Sequence, residues 1–229
     1  FTLVRYHWLH AACGINPLLG CFGRRHAVSA LVLAIYLFHF CGQVFSITSR
    51  KFFDSVDHAV LIKILQQFID DTDILKLLEN IIDSFHVREG IGLPLGNLTS
   101  QLLVNIYMNE FDQFIKHDLN MKNYIRYADD FVFIDSDKSK LEKLISKISE
   151  FLDKKLKLQM HPNKLYIKTI YSGIDFLGWI HFPRHRVIRT ATRRRMFRNL
   201  ERNNYDEASV QSYLGLLGYG SGYKISRKL

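Results

Sequence analysis

Two adjacent aspartates, Asp129 and Asp130, interrupt an apolar run in the segment YIRYADDFVFI, residues 124–134. Carboxylates are seldom buried unless they are paired or bind a metal ion. The flanking residues alternate and are rich in aromatic and β-branched types, so the segment predicts two strands with the acids at the turn between them. Mg²⁺ prefers oxygen ligands, and one or two carboxylates commonly hold it together with substrate phosphates. Such a turn could serve phosphoryl transfer, or its acids could be ordinary turn residues.

The segments before this acid pair predict helices. The first covers residues 54–69, with Asp54 or Ser55 as its cap. Its apolar residues recur at helical spacing, at Val56, Val60, Ile64 and Phe68. A second helix is predicted over residues 72–85. The loop GIGLPLGNLTSQ is punctuated by Gly and Pro, and a third helix follows it over residues 102–119.

The segments after the acid pair predict a helix, short strands and a second helix. Residues 139–158 form an amphipathic pattern whose apolar face carries Leu141, Leu144, Ile145, Ile148, Leu152 and Leu156. Residues 164–182 read as short strands separated by turns. Residues 184–202 then contain eight arginines against one acid, and Met196 and Phe197 lie between the charges as on an amphipathic helix.

The composition indicates a globular protein with an anionic partner. Hydrophobic residues make up 48% of the 229 residues, which excludes a disordered chain. The formal net charge of +9 suggests nucleic acid first and an anionic membrane second, although charge that only maintains solubility explains it as well.

The N-terminal part differs in kind from the rest. No Asp or Glu precedes Asp54, and the spacing of Cys13, Cys21 and Cys41 matches neither a zinc site nor a disulfide framework. The run HAVSALVLAIYLFHFCGQVFSI, residues 26–47, lacks formal charge over about the length of a membrane span. Three interpretations stay open: a buried segment, a membrane anchor, or residues foreign to the ancestral protein.

Five motifs together resemble the reverse transcriptases. YIRYADDFVFI is similar to their central catalytic hairpin. The others follow the family's order: KFFDSVDH, GLPLGNLTSQ, HPNKLYI and FLGW, all between residues 51 and 180. The resemblance implies an α+β fold, a right-hand polymerase palm with an antiparallel sheet and packed helices, incomplete fingers and a partial thumb. The implied division is an atypical segment over residues 1–47, a palm over 48–182 and a basic thumb-like part over 183–229.

The resemblance also implies roles for the acid pair and one lysine. Asp129 would be the principal ligand of two Mg²⁺ ions and Asp130 its partner. Lys164 would assist the pyrophosphate leaving group, since a cation there stabilises developing charge; a surface lysine is the alternative.

Four residues would contact the incoming nucleotide by the same resemblance. Phe53 would crowd a ribose 2′-hydroxyl and so select deoxynucleotides, unless it is a plain core residue. Leu95, Gly96 and Gln101 would line the new base pair, unless they are an ordinary turn and helix start.

The arginine cluster fits a thumb helix along the template and primer backbones, because arginine contacts to phosphate give affinity without sequence information. The residues concerned are Arg184, Arg186, Arg189, Arg193, Arg194, Arg195 and Arg198. A solubility face is the alternative.

The loop at residues 95–101 and the C-terminal string QSYLGLLGYGSGYKI resemble one subfamily, the reverse transcriptases of diversity-generating retroelements. These copy a template RNA into adenine-mutagenised cDNA (mutagenic retrohoming) with a small basic accessory protein. The expected partners are therefore template RNA, primer or cDNA and dNTPs, and the subfamily resemblance adds that accessory protein; the expected location is the cytoplasm, without a membrane.

The sequence departs from the family at one metal ligand. The family's third aspartate lies six residues before the position of Asp54, where this chain has Thr48. Loss of a bridging carboxylate costs several kcal/mol of transition-state stabilisation, on the order of a thousandfold in rate, and Asp54 is not expected to replace it. An active RNA-directed DNA polymerase and a catalytically impaired remnant or nucleic-acid-binding protein both stay open.

The start of the family pattern raises a further question. Residues 1–47 lack the basic fingers expected upstream, and the family pattern is recognised only from Lys51. A frameshift or rearrangement before Arg50, a divergent fingers region and a membrane anchor are the three hypotheses.

Overall fold

The computed structural model describes residues 31, 35, 42–48, 52–161 and 165–229. Within these residues the strands are β1 (Gln43–Thr48), β2 (Tyr124–Tyr127), β3 (Asp130–Asp135), β4 (Tyr166–Thr169), β5 (Ile174–Phe176), β6 (Trp179–His181) and β7 (Arg186–Ile188). The helices are α1 (His58–Leu65), α2 (Thr72–Asp83), α3 (Leu98–Gln113), α4 (Lys138–Leu156), α5 (Thr190–Arg202), α6 (Glu207–Leu217) and α7 (Tyr223–Ser226). Short 3₁₀ turns cover Phe53–Ser55 and Ile170–Ser172, and a π-helical turn, Phe114–Asp118, extends α3.

Two antiparallel sheets carry the strands. The larger sheet has the order β2-β3-β1-β4, and the smaller one has the order β5-β6-β7. The predicted hairpin is confirmed, because β2 pairs with β3 across the acid-pair turn. The short strands predicted after residue 164 are confirmed as well.

Both faces of β3, a central strand of the larger sheet, are buried, which explains the apolar run after the acids. On one face Phe45, Phe131 and Phe133 pack against the helices, and the rings of Phe131 and Phe111 of α3 lie 5.0 Å apart. The other face packs against the smaller sheet. Its cluster contains Leu31, Ile35, Val44, Val132, Ile134, Ile174 and Phe176. β3 is therefore a core strand and β2 an edge strand, and the acids lie where the two strands meet.

The first predicted helix begins later than expected. Phe53–Ser55 form a 3₁₀ turn and Val56 is extended, so the helix starts at His58. Its cap is Asp57, whose side chain accepts a hydrogen bond from the Val60 amide, and the assignment of the cap to Asp54 or Ser55 is wrong. The helix also ends before Phe68, which is 65% exposed.

The other helices follow the prediction more closely. α2 is capped by Asp71, and α4 buries five of its six predicted apolar residues, with Ile145 half-buried. α3 begins at Leu98 instead of residue 102, so Gln101 lies inside the helix and not in the loop.

Part of the uncharged N-terminal run belongs to the core. Residues 43–48 form β1, which lies between β3 and β4, so this strand crosses the division expected between residues 47 and 48. Leu31 and Ile35 are also buried. Among the described residues no helix has the length and apolar character needed to cross a membrane. Cys13, Cys21 and Cys41 lie outside the described residues.

Candidate active site

The acid pair lies at the tip of the β2–β3 hairpin. Tyr127 pairs with Asp130 across the hairpin, which leaves Ala128 and Asp129 as its two turn residues. Ala128 has a φ of 51°, in the left-handed region that residues with a Cβ seldom adopt. Both aspartates are half-buried at the end of a rigid sheet.

The end of β1 lies beside this turn. In the β1–β3 register the Cα partner of Asp130 is Thr48, the last residue of β1. The position where the resembled family has its third aspartate is thus a cross-strand neighbour of Asp130. Asp54, in the 3₁₀ turn after β1, is not part of the sheet.

The acid pair suits one hard cation better than two. Two adjacent carboxylates are a sufficient protein contribution to a Mg²⁺ ion that also binds substrate phosphates. The part of the chain that the structure describes contains no group of three His, Cys, Asp or Glu side chains able to hold a metal ion. Within the described residues the acid pair therefore fits a single magnesium ion, and no further carboxylate joins the pair to bridge a second.

A buried charge network lies beneath the turn. Arg126 of β2 binds Asp112 of α3 through two nitrogens, and the Tyr124 hydroxyl donates to the same carboxylate at 2.8 Å. Burial opposes a charge on Arg126, but the Asp112 carboxylate outweighs it and raises the pKa of the guanidinium. Burial also raises the pKa of Tyr124, and the Asp112 charge adds to the effect. The arginine therefore stays charged and the tyrosine neutral. No spacing in the sequence predicts this network, although a charged residue inside an apolar strand is itself a signal of a buried pair.

A second hydroxyl joins the two sheets next to the acids. Tyr166 of β4 contacts the side chain of Ser46 and the backbone of Asp175. Burial raises the pKa of Tyr166, and the negative charges of Asp175 and Asp130 raise it further. This phenol is neutral, and it ties β4 to β1 and β5.

The predicted nucleotide residues lie on a loop tied to the 3₁₀ turn. The Leu93 amide donates to the Phe53 carbonyl at 2.8 Å, which joins the two predicted segments through the backbone. Leu95 is 73% exposed and Gln101 is exposed on α3. Gly96 has a φ of +94°, which favours glycine at that turn.

Phe53 and Lys164 differ from these loop residues. Phe53 is half-buried and packs edge-on against Phe52, with ring centroids 5.7 Å apart, so it contributes to the core at the same time. Lys164 lies outside the described residues.

The loop has a support that no local sequence pattern predicts. The buried side chain of His58 reaches the Gly92 carbonyl through Nε2 at 2.7 Å, and its Nδ1 lies 3.0 Å from Asp83 of α2. The Gly92 amide in turn donates to the Val56 carbonyl. These long-range contacts hold the start of the loop.

The predicted arginines divide into three groups. Arg189 pairs with Asp175 at 3.2 Å, and Arg186 lies over the Trp179 ring and donates to the Tyr219 carbonyl, so both make contacts within the protein. Arg184 and Arg195 are exposed. The remaining three line a cavity of about 820 Å³ between α5 and α7, which we call the basic groove. Its lining residues are Arg193, Arg194, Phe197, Arg198, Glu201, Lys224, Ile225 and Lys228.

Comparison with known proteins identifies the family. Residues 43–181 match the reverse transcriptase (RNA-dependent DNA polymerase) family. The chain belongs to this family. The match begins with β1, so the strand that ends at Thr48 is part of the reverse transcriptase domain.

The relatives of this reverse transcriptase are longer proteins. It is 29% identical over 182 residues to Protein YkfC of Escherichia coli (strain K12), covering 62% of this chain and 46% of YkfC. It is 20% identical over 228 residues to the Putative COX1/OXI3 intron 2 protein of Saccharomyces cerevisiae, covering 72% of this chain and 26% of that protein. The chain thus spans less than half the length of either.

A solved structure supports the fold. The apo telomerase from Candida tropicalis superposes with a TM-score of 0.59 at 14% identity, covering 83% of this chain and 40% of the telomerase chain. The α+β polymerase-like fold predicted from the sequence is confirmed.

Proposed function

We propose that this reverse transcriptase copies an RNA template into cDNA. The observation that carries the proposal is the acid pair at the hairpin turn, next to the end of β1 and inside the family segment. In the reaction a primer 3′-hydroxyl attacks the α-phosphorus of a dNTP, a new phosphodiester bond forms, and the bond to pyrophosphate breaks. Little covalent chemistry falls to the protein, so positioning and electrostatics supply most of the rate.

Asp129 and Asp130 would hold Mg²⁺. The ion would neutralise charge on the reacting phosphates. A second ion, as the family mechanism proposes, would need a ligand at the position of Thr48. The neutral Tyr166 phenol beside the acid pair would add no charge of its own.

The nucleotide would enter between the hairpin and the loop. Phe53 is proposed to limit space at the ribose 2′ position, and Leu95, Gly96 and Gln101 to contact the base pair. The hydrogen bond from the Leu93 amide to the Phe53 carbonyl supports this assignment, because it couples the two segments. Lys164 is proposed to meet the leaving pyrophosphate.

The basic groove would bind the phosphates of template and primer. Five of its lining side chains are cations and one is an acid, a balance that attracts a polyanion. Phe197 and Ile225 give it an apolar wall on which bases or sugars could lie. Arg184, Arg186 and Arg189 would extend the positive surface, whereas Arg195 lies outside the groove and would contribute less.

A retroelement is the proposed genetic setting. The loop at residues 95–101 supports mutagenic retrohoming with an accessory protein, whereas the intron protein among the relatives favours an intron-encoded element instead. Sequencing the cDNA discriminates between them. Substitutions concentrated at template adenines would support the first, and errors spread evenly over the four bases would contradict it.

A catalytically impaired nucleic-acid-binding protein is the second candidate, and Thr48 opposite Asp130 favours it. RNA-templated primer extension with Mg²⁺ tests both, using the chain, its Asp129→Asn variant and its Thr48→Asp variant. We expect Thr48→Asp to extend on the order of a thousandfold faster than the chain and Asp129→Asn to abolish extension. Salt-sensitive RNA binding without extension in any variant would favour the binding protein.

A further inference from the structure

Arg126 is a buried cation directly under the catalytic turn. Its side chain is 6% exposed and that of its partner Asp112 is 18% exposed. Nε donates to Asp112 Oδ1 at 2.8 Å and Nη2 donates to Oδ2 at 2.5 Å, a two-point contact that fixes the plane of the guanidinium. Because α3 holds Asp112, the helix sets where this plane lies.

The third nitrogen of the guanidinium points toward the turn. Nη1 donates to the Ala128 carbonyl at 3.3 Å and to Asn105 Oδ1 at 3.3 Å. The Ala128 carbonyl belongs to the peptide plane that continues into Asp129, so holding this oxygen holds the plane from which Asp129 projects. The same residue has the left-handed φ of 51°, which needs support because alanine has a Cβ.

The network also reaches Gln101, one of the residues proposed to contact the incoming base pair. Asn105 donates through Nδ2 to the Gln101 carbonyl at 2.9 Å on α3. One chain of contacts therefore runs from the backbone of Gln101 through Asn105 and Arg126 to the turn.

We propose that Arg126 is a positioning residue that orients Asp129 by holding the Ala128 carbonyl, with Asp112 fixing the guanidinium. The role in catalysis rests on the function proposed above, whereas the effect on the turn does not. A residue that only stabilises the hairpin would loosen both strands when changed. Changing a positioning residue would loosen the turn and leave the strands intact.

The test uses Arg126→Lys. Lysine keeps a positive charge for Asp112, but a single ammonium replaces the planar fork that reaches both the carboxylate and the turn. The matched control is Lys140→Gln, which removes an ion pair from Asp135 at the opposite end of β3. Backbone ¹⁵N order parameters are measured for the chain and both variants, together with primer extension kinetics of each change in the Thr48→Asp background.

We expect Arg126→Lys to lower the order parameters of Ala128 and Asp129 from about 0.85 to below about 0.6, while those of Phe131–Ile134 stay unchanged. In the Thr48→Asp background kcat should fall at least about tenfold, with little change in KM for the dNTP, since a misplaced ligand weakens the transition state more than the bound substrate. Lys140→Gln should alter neither the order parameters of the turn nor kcat.

An unchanged turn in Arg126→Lys, or loss of order spread equally over both strands, would overturn the proposal. So would a lowered order at the turn with kcat intact. Absence of extension in every variant, with order lost only at the turn, would refute the proposed activity and still support the control of the turn by Arg126.

Discussion

The acid-pair hairpin and the arginine-rich helix α5 carry charge in opposite ways. On the hairpin Arg126 is buried and paired with Asp112 through two hydrogen bonds. On α5 the arginines at 193–195 and 198 are exposed, and the helix is anchored by Thr192, Met196 and Leu200 on its buried face. A buried charge must be paired, which fixes its geometry. An exposed charged side chain keeps its hydration and its conformational freedom.

The buried and the exposed arrangements suit different functions, catalysis and nucleic-acid binding. Chemistry at a phosphorus atom needs ligands held to within a fraction of an ångström; under the proposed function, the buried strand β3 and the fixed guanidinium would hold them at the hairpin. Binding of a nucleic-acid backbone needs many approximate contacts, which exposed arginines around an open groove can make on any sequence. The hairpin should therefore be sensitive to packing, and α5 to salt.

The largest effect on stability should follow from Phe111→Ala. Phe111 is fully buried, and its ring lies 5.0 Å from that of Phe131 and 6.1 Å from that of Tyr124. Truncation leaves a cavity beneath the hairpin, so we expect the free energy of unfolding to fall by about 3–5 kcal/mol in chemical denaturation. Phe68→Ala, at a side chain that is 65% exposed, is the control and should change it by less than about 0.5 kcal/mol. Equal effects of the two changes would contradict the packing described for the hairpin.

A smaller effect should come from His181, in the sheet that lies between the two regions. The imidazole is fully buried, and its Nε2 lies 3.3 Å from the Phe176 carbonyl, whereas its Nδ1 has no hydrogen-bond partner in the described part of the chain. Burial lowers the pKa of His181 to about 4. Below the ordinary value of about 6.5 the unfolded chain binds a proton that the folded chain does not.

The resulting stability is complete above pH 6.5 and decreases as the pH falls toward 4, by about 1.4 kcal/mol per pH unit and about 3 kcal/mol in total. Unfolding measured across this range should show a shallower slope for His181→Leu than for the chain. The exposed His86→Gln is the control. Parallel curves for the chain and His181→Leu would show that the buried imidazole is already charged in the fold.

The sequence predicted the hairpin well because its signals are local. β3 is buried on both faces and so needs continuous apolar residues, which is why Asp129 could be assigned to the turn before it. The cap of α1 was harder, since Asp54, Ser55 and Asp57 all have suitable side chains. The choice of Asp57 follows from tertiary contacts: its carboxylate also pairs with Lys157, one hundred positions away.

The parts that sequence patterns missed are the long-range polar contacts. Arg126 and Asp112 are 14 residues apart, and His58 is 34 residues from Gly92. No periodicity links such residues, because the fold of α3 against the sheet brings them together. The same is true of Lys224 and Lys228, which only the packing of α7 near α5 places in the basic groove.

The smallest predicted effect concerns the basic groove, and it tests the exposed arginines of α5 separately from the hairpin. Arg193→Gln combined with Arg198→Gln removes two cations from its lining, whereas Arg195→Gln removes one exposed cation from the same helix outside the groove. Each lost phosphate contact should lower the slope of log affinity against log salt by about 0.7–0.9.

We therefore expect the slope to fall by about 1.5 for the double variant and to stay nearly constant for Arg195→Gln. Fluorescence anisotropy with single-stranded RNA between about 50 and 200 mM salt measures it. Stability should not change, because these side chains lie outside the core. If Arg195→Gln lowers the slope by half as much as the double variant does, every cation on α5 contributes equally. The positive field of the whole helix, and not the groove, would then bind the nucleic acid.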